Sequence, residues 1–250
     1  MHTKNRHMTE EAWHDKQVHK RRTTSDFYDM GALRSADTYT WQLLGDMSDK
    51  RVVDFGCGQG HNAVRMAKQG AVVYAFDISS AMIEMTKQNA MNVGLENRVF
   101  AEKMPAEQLA YPDKFVDLVF GHSILHHTDL ALTRREIHRI LKPGGRAVFL
   151  EPLDHNPFIR LFRQLTPSRR TPTEQPLRFE DVFFFSQLFS SFHHREFYLV
   201  ALMAFPLLPL GKEKLFQFSL ENLGHLDDIL LSRWPSLGKY AWVIVMELTK

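Results

Sequence analysis

A chain of 250 residues, 44% of them hydrophobic and with a formal charge of +2, can bury one sizeable core but has no strong field to steer it to nucleic acid. The single cysteine excludes an intrachain disulfide, the polar N-terminus lacks the apolar core of a signal peptide, and no stretch reaches the roughly 18 uninterrupted apolar residues of a membrane span. One cytoplasmic domain with additions is expected, without a nucleic-acid partner or stable membrane insertion, as a monomer or homodimer.

In chain order, residues 9–30 read as a polar helix and residues 35–47 as a second helix with Ser35 as its N-cap. From Val52 the pattern turns regular. Residues 52–55 form an apolar strand, 62–69 a helix, 72–76 a strand, and 79–92 a helix capped by Ser79 and ended by Gly94. Strands at 99–102 and 115–120 precede a helix at 130–141, which the run Lys142-Pro143-Gly144-Gly145 stops before a fifth strand at 146–150. Helices alternating with near-continuous apolar strands imply a parallel sheet covered on both faces, which binds ligands at the carboxyl ends of its strands. Beyond Pro152 the regularity fails. Residues 156–176 are rich in Pro, Arg and Thr, 181–192 is a Phe-laden helix or lid, and strands near 196–203 and 240–248 flank a helix at 214–233. The apolar run 199–210, broken by Pro206 and Pro209, reads as a buried strand followed by a lid. The expected fold is a doubly wound, mostly parallel, seven-stranded Rossmann-like α/β sheet. Its organisation is a helical N-terminal lid (1–48), a binding core (49–152), and an insert with closing strands (153–250).

Three glycines, Gly56, Gly58 and Gly60, follow the first strand at alternate positions. A glycine-bearing turn from strand to helix lets main-chain amides touch a ligand at the positive end of the helix. A dinucleotide site wants G-x-G-x-x-G, but here the spacing is G-x-G-x-G and position 61 is His. Asp54, just before the glycines, suits a cation better than a pyrophosphate.

The run Asp54-Phe55-Gly56-Cys57-Gly58-Gln59-Gly60 resembles motif I of class I S-adenosylmethionine-dependent methyltransferases. Asp77 closing the second strand, the segment 116–127 and the segment 141–152 match further marks of that family in order, so the resemblance covers roughly residues 50–152. It implies S-adenosyl-L-methionine as methyl donor and S-adenosyl-L-homocysteine as product. It places Asp54, Gly56, Cys57, Gly58 and Gly60 around the methionyl part, Asp77 on the ribose hydroxyls and Ile78 against adenine. Many relatives carry an Asp where Pro105 stands, which leaves main-chain groups near Ala106, and Glu107, for the adenine edge. The family often closes its N-terminal segment over the donor, so Tyr28 is a candidate contact. Cys57, in a tight turn, reads as a small buried residue rather than a nucleophile.

The sulfonium is an activated donor, so alignment supplies much of the catalysis and a base is optional. His122 ends the fourth strand as a candidate pocket wall, and His126 or His127 could deprotonate a hydroxyl or thiol, or simply shape the pocket. No metal is expected, because adjacent histidines diverge and no neighbouring carboxylate completes a ligand set; His193-His194 is dismissed likewise. Acceptor choice falls to Arg34, to Asp154, His155, Asn156 and Arg160, and to Phe183-Phe184-Phe185, with plain loop, cap and core roles as the alternative. The expected function is methylation of a small-molecule acceptor, on oxygen, in natural-product, sugar-lipid or quinone-like biosynthesis. The alternatives are a cofactor-binding isomerase or cyclase that transfers no methyl, and a regulatory binding protein. Nucleic-acid methylation is disfavoured because Gly121-His122-Ser123 stands where N/D-P-P-Y would be.

Overall fold

The computed structural model describes residues 3–17, 33–167, 171–207 and 210–250. Seven strands, β1 (Arg51–Phe55), β2 (Val72–Asp77), β3 (Val99–Lys103), β4 (Val116–His122), β5 (Leu141–Pro152), β6 (Ser191–Phe197) and β7 (Val243–Thr249), form one sheet in the order β3-β2-β1-β4-β5-β7-β6. All pairs are parallel except those made by β7, which runs antiparallel to both β5 and β6. The chain moves outward from β1 on one side and then restarts at β4 on the other. The switch point between β1 and β4 opens a crevice at their carboxyl ends.

Alternate residues of each strand feed two cores. Val52, Val73, Leu118, Phe120, Val148 and Val245 face one side, where α2 (Arg34–Leu44), α3 (His61–Lys68), α4 (Ser80–Met91) and α8 (Glu213–Arg233) cover them. Val53, Phe55, Val119, Phe149, Ile244 and Met246 face the other, under α5 (Leu130–Ile140) and α7 (Phe179–Ser186). The period of two along strands buried on both faces is what made them read as unbroken apolar runs.

Several boundaries differ from expectation. Helix α1 spans Thr3–Gln17, and the rest of the expected 9–30 helix lies outside the described residues. Ser35 is not an N-cap: α2 starts after Leu33, which makes no side-chain cap bond. The amides of Ser35 and Ala36 are instead met by the Tyr198 hydroxyl at 3.2 and 3.4 Å, a tertiary cap that no local pattern announces. Ser79 does cap α4, its hydroxyl accepting from Met82 N at 3.1 Å. The strand expected at 196–203 lies earlier, because Tyr198 takes φ +66 and the amides of Leu199, Val200 and Ala201 turn to the buried carboxylate of Asp227. Residues 201–207 are accordingly a 3-10 helix packed on α8. A helix not among those expected, α6 (Pro157–Leu165), has Asn156 as N-cap and Pro157 in its first turn.

Candidate active site

Asp54 and Asp77 stand at the carboxyl ends of adjacent strands, and the Gly56–Gly60 loop passes over them into α3. Gly56 has φ +72, and a Cβ there would sit 2.5 Å from the Ile124 side chain; at Gly60, φ +78, it would sit 2.6 Å from Thr86. Those two glycines serve protein packing and turn geometry. Gly58 differs: with φ +51, its missing Cβ points into open space.

The Gly58 amide donates to Asp77 Oδ2 at 3.0 Å and the Ser79 amide to Oδ1 at 2.9 Å. Two backbone amides thus fix the carboxylate, while each oxygen keeps a lone pair for a ligand hydroxyl. Burial pushes the Asp77 carboxyl above the ordinary range, and the Ser79 amide draws it part of the way back. Asp54 is buried, and its Oδ2 has no hydrogen-bond partner among the described residues. Burial pushes it up to about 7 against the pull of the Ala63 amide, with the Asp77 charge adding to the rise. A buried carboxylate oxygen without a partner, beside a glycine facing open space, is a place for a cationic ligand group. The donor set therefore fits an aminoacyl sulfonium nucleoside. The Cys57 thiol is buried, 3.5 Å from Thr86 Oγ1, and burial followed by the Asp54 charge pushes it up; it is no nucleophile. Ile78 is half-buried directly after Asp77.

Across the switch point, β4 ends at the half-buried His122 and a 3-10 turn (Leu125–His127) follows. Glu151, near the end of β5, is fully buried. Its Oε1 accepts the Ile124 and Leu125 amides, both at 2.8 Å, and its Oε2 lies 2.7 Å from His126 Nδ1. Burial alone would raise this carboxyl, but the His126 charge and these hydrogen bonds hold it below its ordinary value. In the neutral imidazole, an Nδ1–H donated to Glu151 leaves Nε2 of His126 as the acceptor. Sequence reasoning missed Glu151 as a partner for His126. The available signal was an acid at the end of an apolar strand, where only a paired charge is tolerated.

Helix α1 lies along this same edge. Arg6 and His7 meet Glu107, Glu11 meets Lys103, Asp15 meets Ser79, and Glu10 lies 3.1 Å from His127 Nδ1. Glu107 also accepts the Asp129 amide at 2.8 Å, so it joins α1 to the α5 entry beside the buried Ala106. Tyr28 lies outside the described residues.

Several of the remaining acceptor candidates have structural partners. Asn156 caps α6 and donates to the Tyr240 carbonyl at 2.7 Å, while Asp154 pairs with Arg160 at 2.9 Å. Phe185 is a core residue near Phe149, and Phe184 carries Arg134 on its ring. Arg34 is exposed on α2.

Residues 53–149 match the family model described as methyltransferase domain. That stretch, from β1 into β5, is therefore similar to methyltransferase domains, in keeping with the resemblance of the glycine loop. The 27-O-demethylrifamycin SV methyltransferase of Amycolatopsis mediterranei is 38% identical over 98 residues, 38% of this chain and 36% of that relative. The ubiquinone biosynthesis O-methyltransferase of Alkalilimnicola ehrlichii is 34% identical over 137 residues, 54% of this chain and 53% of that one. The chain therefore spans about a third to a half of the relatives it matches. Among solved structures, geranyl diphosphate C-methyltransferase from Streptomyces coelicolor superposes with a TM-score of 0.67 at 13% identity, covering 98% of this chain and 97% of that one. The cyclase SpnF superposes with a TM-score of 0.57 at 18% identity, covering 87% and 81%. At such identities the methyltransferase fold is what is shared. Among the described residues, no helix is long and apolar enough to cross a membrane.

Proposed function

We propose that this protein transfers the methyl group of S-adenosyl-L-methionine to a hydroxyl of a small-molecule acceptor, releasing S-adenosyl-L-homocysteine. The bound donor supplies an electrophilic methyl, so the S–CH3 bond breaks as the O–CH3 bond forms in line. Asp77 would hold the ribose, Ile78 and Ala106 would border the adenine, Asp54 would answer the ammonium, and the Gly56–Gly60 loop would lie along the methionyl part. His126 Nε2 would take the hydroxyl proton, with Glu151 keeping its tautomer and stabilising the imidazolium. His122 would wall the pocket. Residues 1–48 act as lid, 49–152 as the donor-binding core and 153–250 as the acceptor-selecting part. The lone buried cysteine suits a reducing cytoplasm, and the near-neutral charge supports a small acceptor over nucleic acid.

The observation that carries this reading is the buried Glu151–His126 pair beside the motif I loop, because a passive cofactor binder has no use for an oriented imidazole. The names of the two sequence relatives favour oxygen on a rifamycin-like or quinone-like acceptor. Incubation with methyl-labelled donor and a panel of hydroxylated aromatic and polyketide acceptors should give labelled product and an equal amount of S-adenosyl-L-homocysteine. His126→Ala should lower kcat by about 10²- to 10⁴-fold with homocysteine-product affinity unchanged. Donor binding with acceptor rearranged but no thioether released would instead support a cyclase or isomerase, and binding without any turnover a regulatory protein.

A further inference from the structure

The imidazole beside His126 faces a different set of groups. Glu10 and His14, one turn apart on α1, approach His127 so that one ligand atom from each of the three residues lies within 4.8 Å of the others. Glu10 Oε2 is 3.1 Å from His127 Nδ1 and 3.6 Å from His14 Nε2. Glu10 is 3% exposed, and Oε2 is paired with both rings at short range, but among the described residues no N–H or O–H points at it with full hydrogen-bond geometry. Its other oxygen, Oε1, takes the Thr171 hydroxyl at 2.9 Å and the Thr173 hydroxyl, which hold the carboxylate in place. Thr171 Oγ1 makes only a long 3.5 Å contact with His127 Nδ1. A buried carboxylate oxygen flanked by two imidazole nitrogens, at short range but outside hydrogen-bond geometry, is arranged around a point between them. Ligand atoms sharing one ion at bond lengths of about 2.0–2.2 Å stand about 3 to 3.6 Å apart. The two measured separations fall in that interval.

We infer that Glu10, His14 and His127 form a site for a divalent transition cation of the zinc class, which ties α1 to the turn after β4. Two imidazoles and one carboxylate select such an ion over calcium or magnesium, which prefer all-oxygen shells. Three protein ligands leave a further position open, and the two threonine hydroxyls on Oε1 supply the outer support such carboxylates receive. The neighbouring group of His126, His127 and Glu174 shares His127 with this one, and its carboxylate is already engaged, Glu174 Oε1 accepting from Arg163 at 2.6 Å. The site does not depend on methyl transfer: it stands on binding alone.

The test starts from full-length protein stripped with a chelator and titrated with Co2+, then with Zn2+ as competitor. The expected result is one Co2+ per chain with a visible ligand-field absorption, displaced by one equivalent of Zn2+, and slower protease cleavage within residues 1–32 when metal is present. Glu10→Gln and His14→Asn should each weaken binding at least about tenfold and abolish the protease protection, whereas His193→Asn, on the exposed part of β6, should change neither. Circular dichroism of each variant checks that it is folded, and His14→Asn, at the more exposed ligand, replaces Glu10→Gln if the latter is not. Absence of stoichiometric Co2+ binding, or binding that both ligand variants retain, overturns the site and leaves Glu10 as an ion-pair latch. Loss confined to His193→Asn overturns it too, by tracing the metal to the β6 histidines.

Discussion

Asp54 has a folded-state pKa pushed up to about 7 from a model-compound value of 3.8, with burial as the main cause. A carboxyl raised on folding contributes stability that is complete below the unfolded pKa and is lost as pH rises through the folded value. The protein without ligand should therefore lose stability between about pH 4 and 7, and Asp54→Asn should flatten that part of a plot of Tm against pH. A ligand ammonium at Oδ2 would favour the ionised form, so product binding at pH 6 should release a proton from Asp54. Calorimetry in buffers of different ionisation heat would detect the release in the parent protein and its absence in Asp54→Asn. Asp77 is fixed differently, by two amides. Asp77→Ala should weaken S-adenosyl-L-homocysteine by about 10- to 150-fold, the worth of about 1.5–3 kcal/mol for hydrogen bonds to a charged group; unchanged affinity by calorimetry would remove it from the donor site. Both aspartates were legible in the sequence, because strand ends and glycine spacing place them within one continuous βαβ run. Glu151 was not legible as a partner for His126, because that pairing needs β4 and β5 side by side.

At the scale of elements, α6 shows how a cap defines where a helix begins. Its apolar residues Phe158, Leu161 and Leu165 recur at helical spacing yet are exposed, so the stripe is not part of the core. The Asn156 side chain organises the first turn by accepting from the Phe158 and Ile159 amides at 3.0 and 3.1 Å, and it ties that turn to the Tyr240 carbonyl. Asn156→Ala should lower stability by about 1–2 kcal/mol, measured by urea unfolding, with greater amide exchange in residues 157–165 than in β1 or β4. The asparagine followed by proline was a readable start signal. In α2 the equivalent signal misled, since Tyr198 rather than Ser35 serves its first amides. Helix α1 attaches chiefly through side-chain pairs, several of them partly exposed, and such pairs are individually weak and screened by salt.

For the whole molecule, the placement of β7 matters most. It arrives last in the chain yet lies between β5 and β6, paired with both along its length, and it contributes Ile244, Val245 and Met246 to the two cores. Removing residues 243–250 should strip β5 of a neighbour, leave β6 without a sheet and unfold the protein, not merely trim its edge. Soluble expression with native circular dichroism of that truncation would show the sheet to be more divisible than its pairing implies. The two faces share one sheet, so burial on either side depends on the same strands.

The sequence by itself determined the alternating α/β order, the glycine turn, the two strand-end aspartates and the family they resemble, because each depends on the conformational preferences of residues close together in the chain. Only the tertiary structure decided that Glu151 orients His126, that Tyr198 caps α2, that β6 ends where Asp227 gathers three amides, and that Glu10 and His14 reach His127. Those contacts join residues distant in sequence, and their geometry exists only after the sheet is assembled and the helices are packed on it.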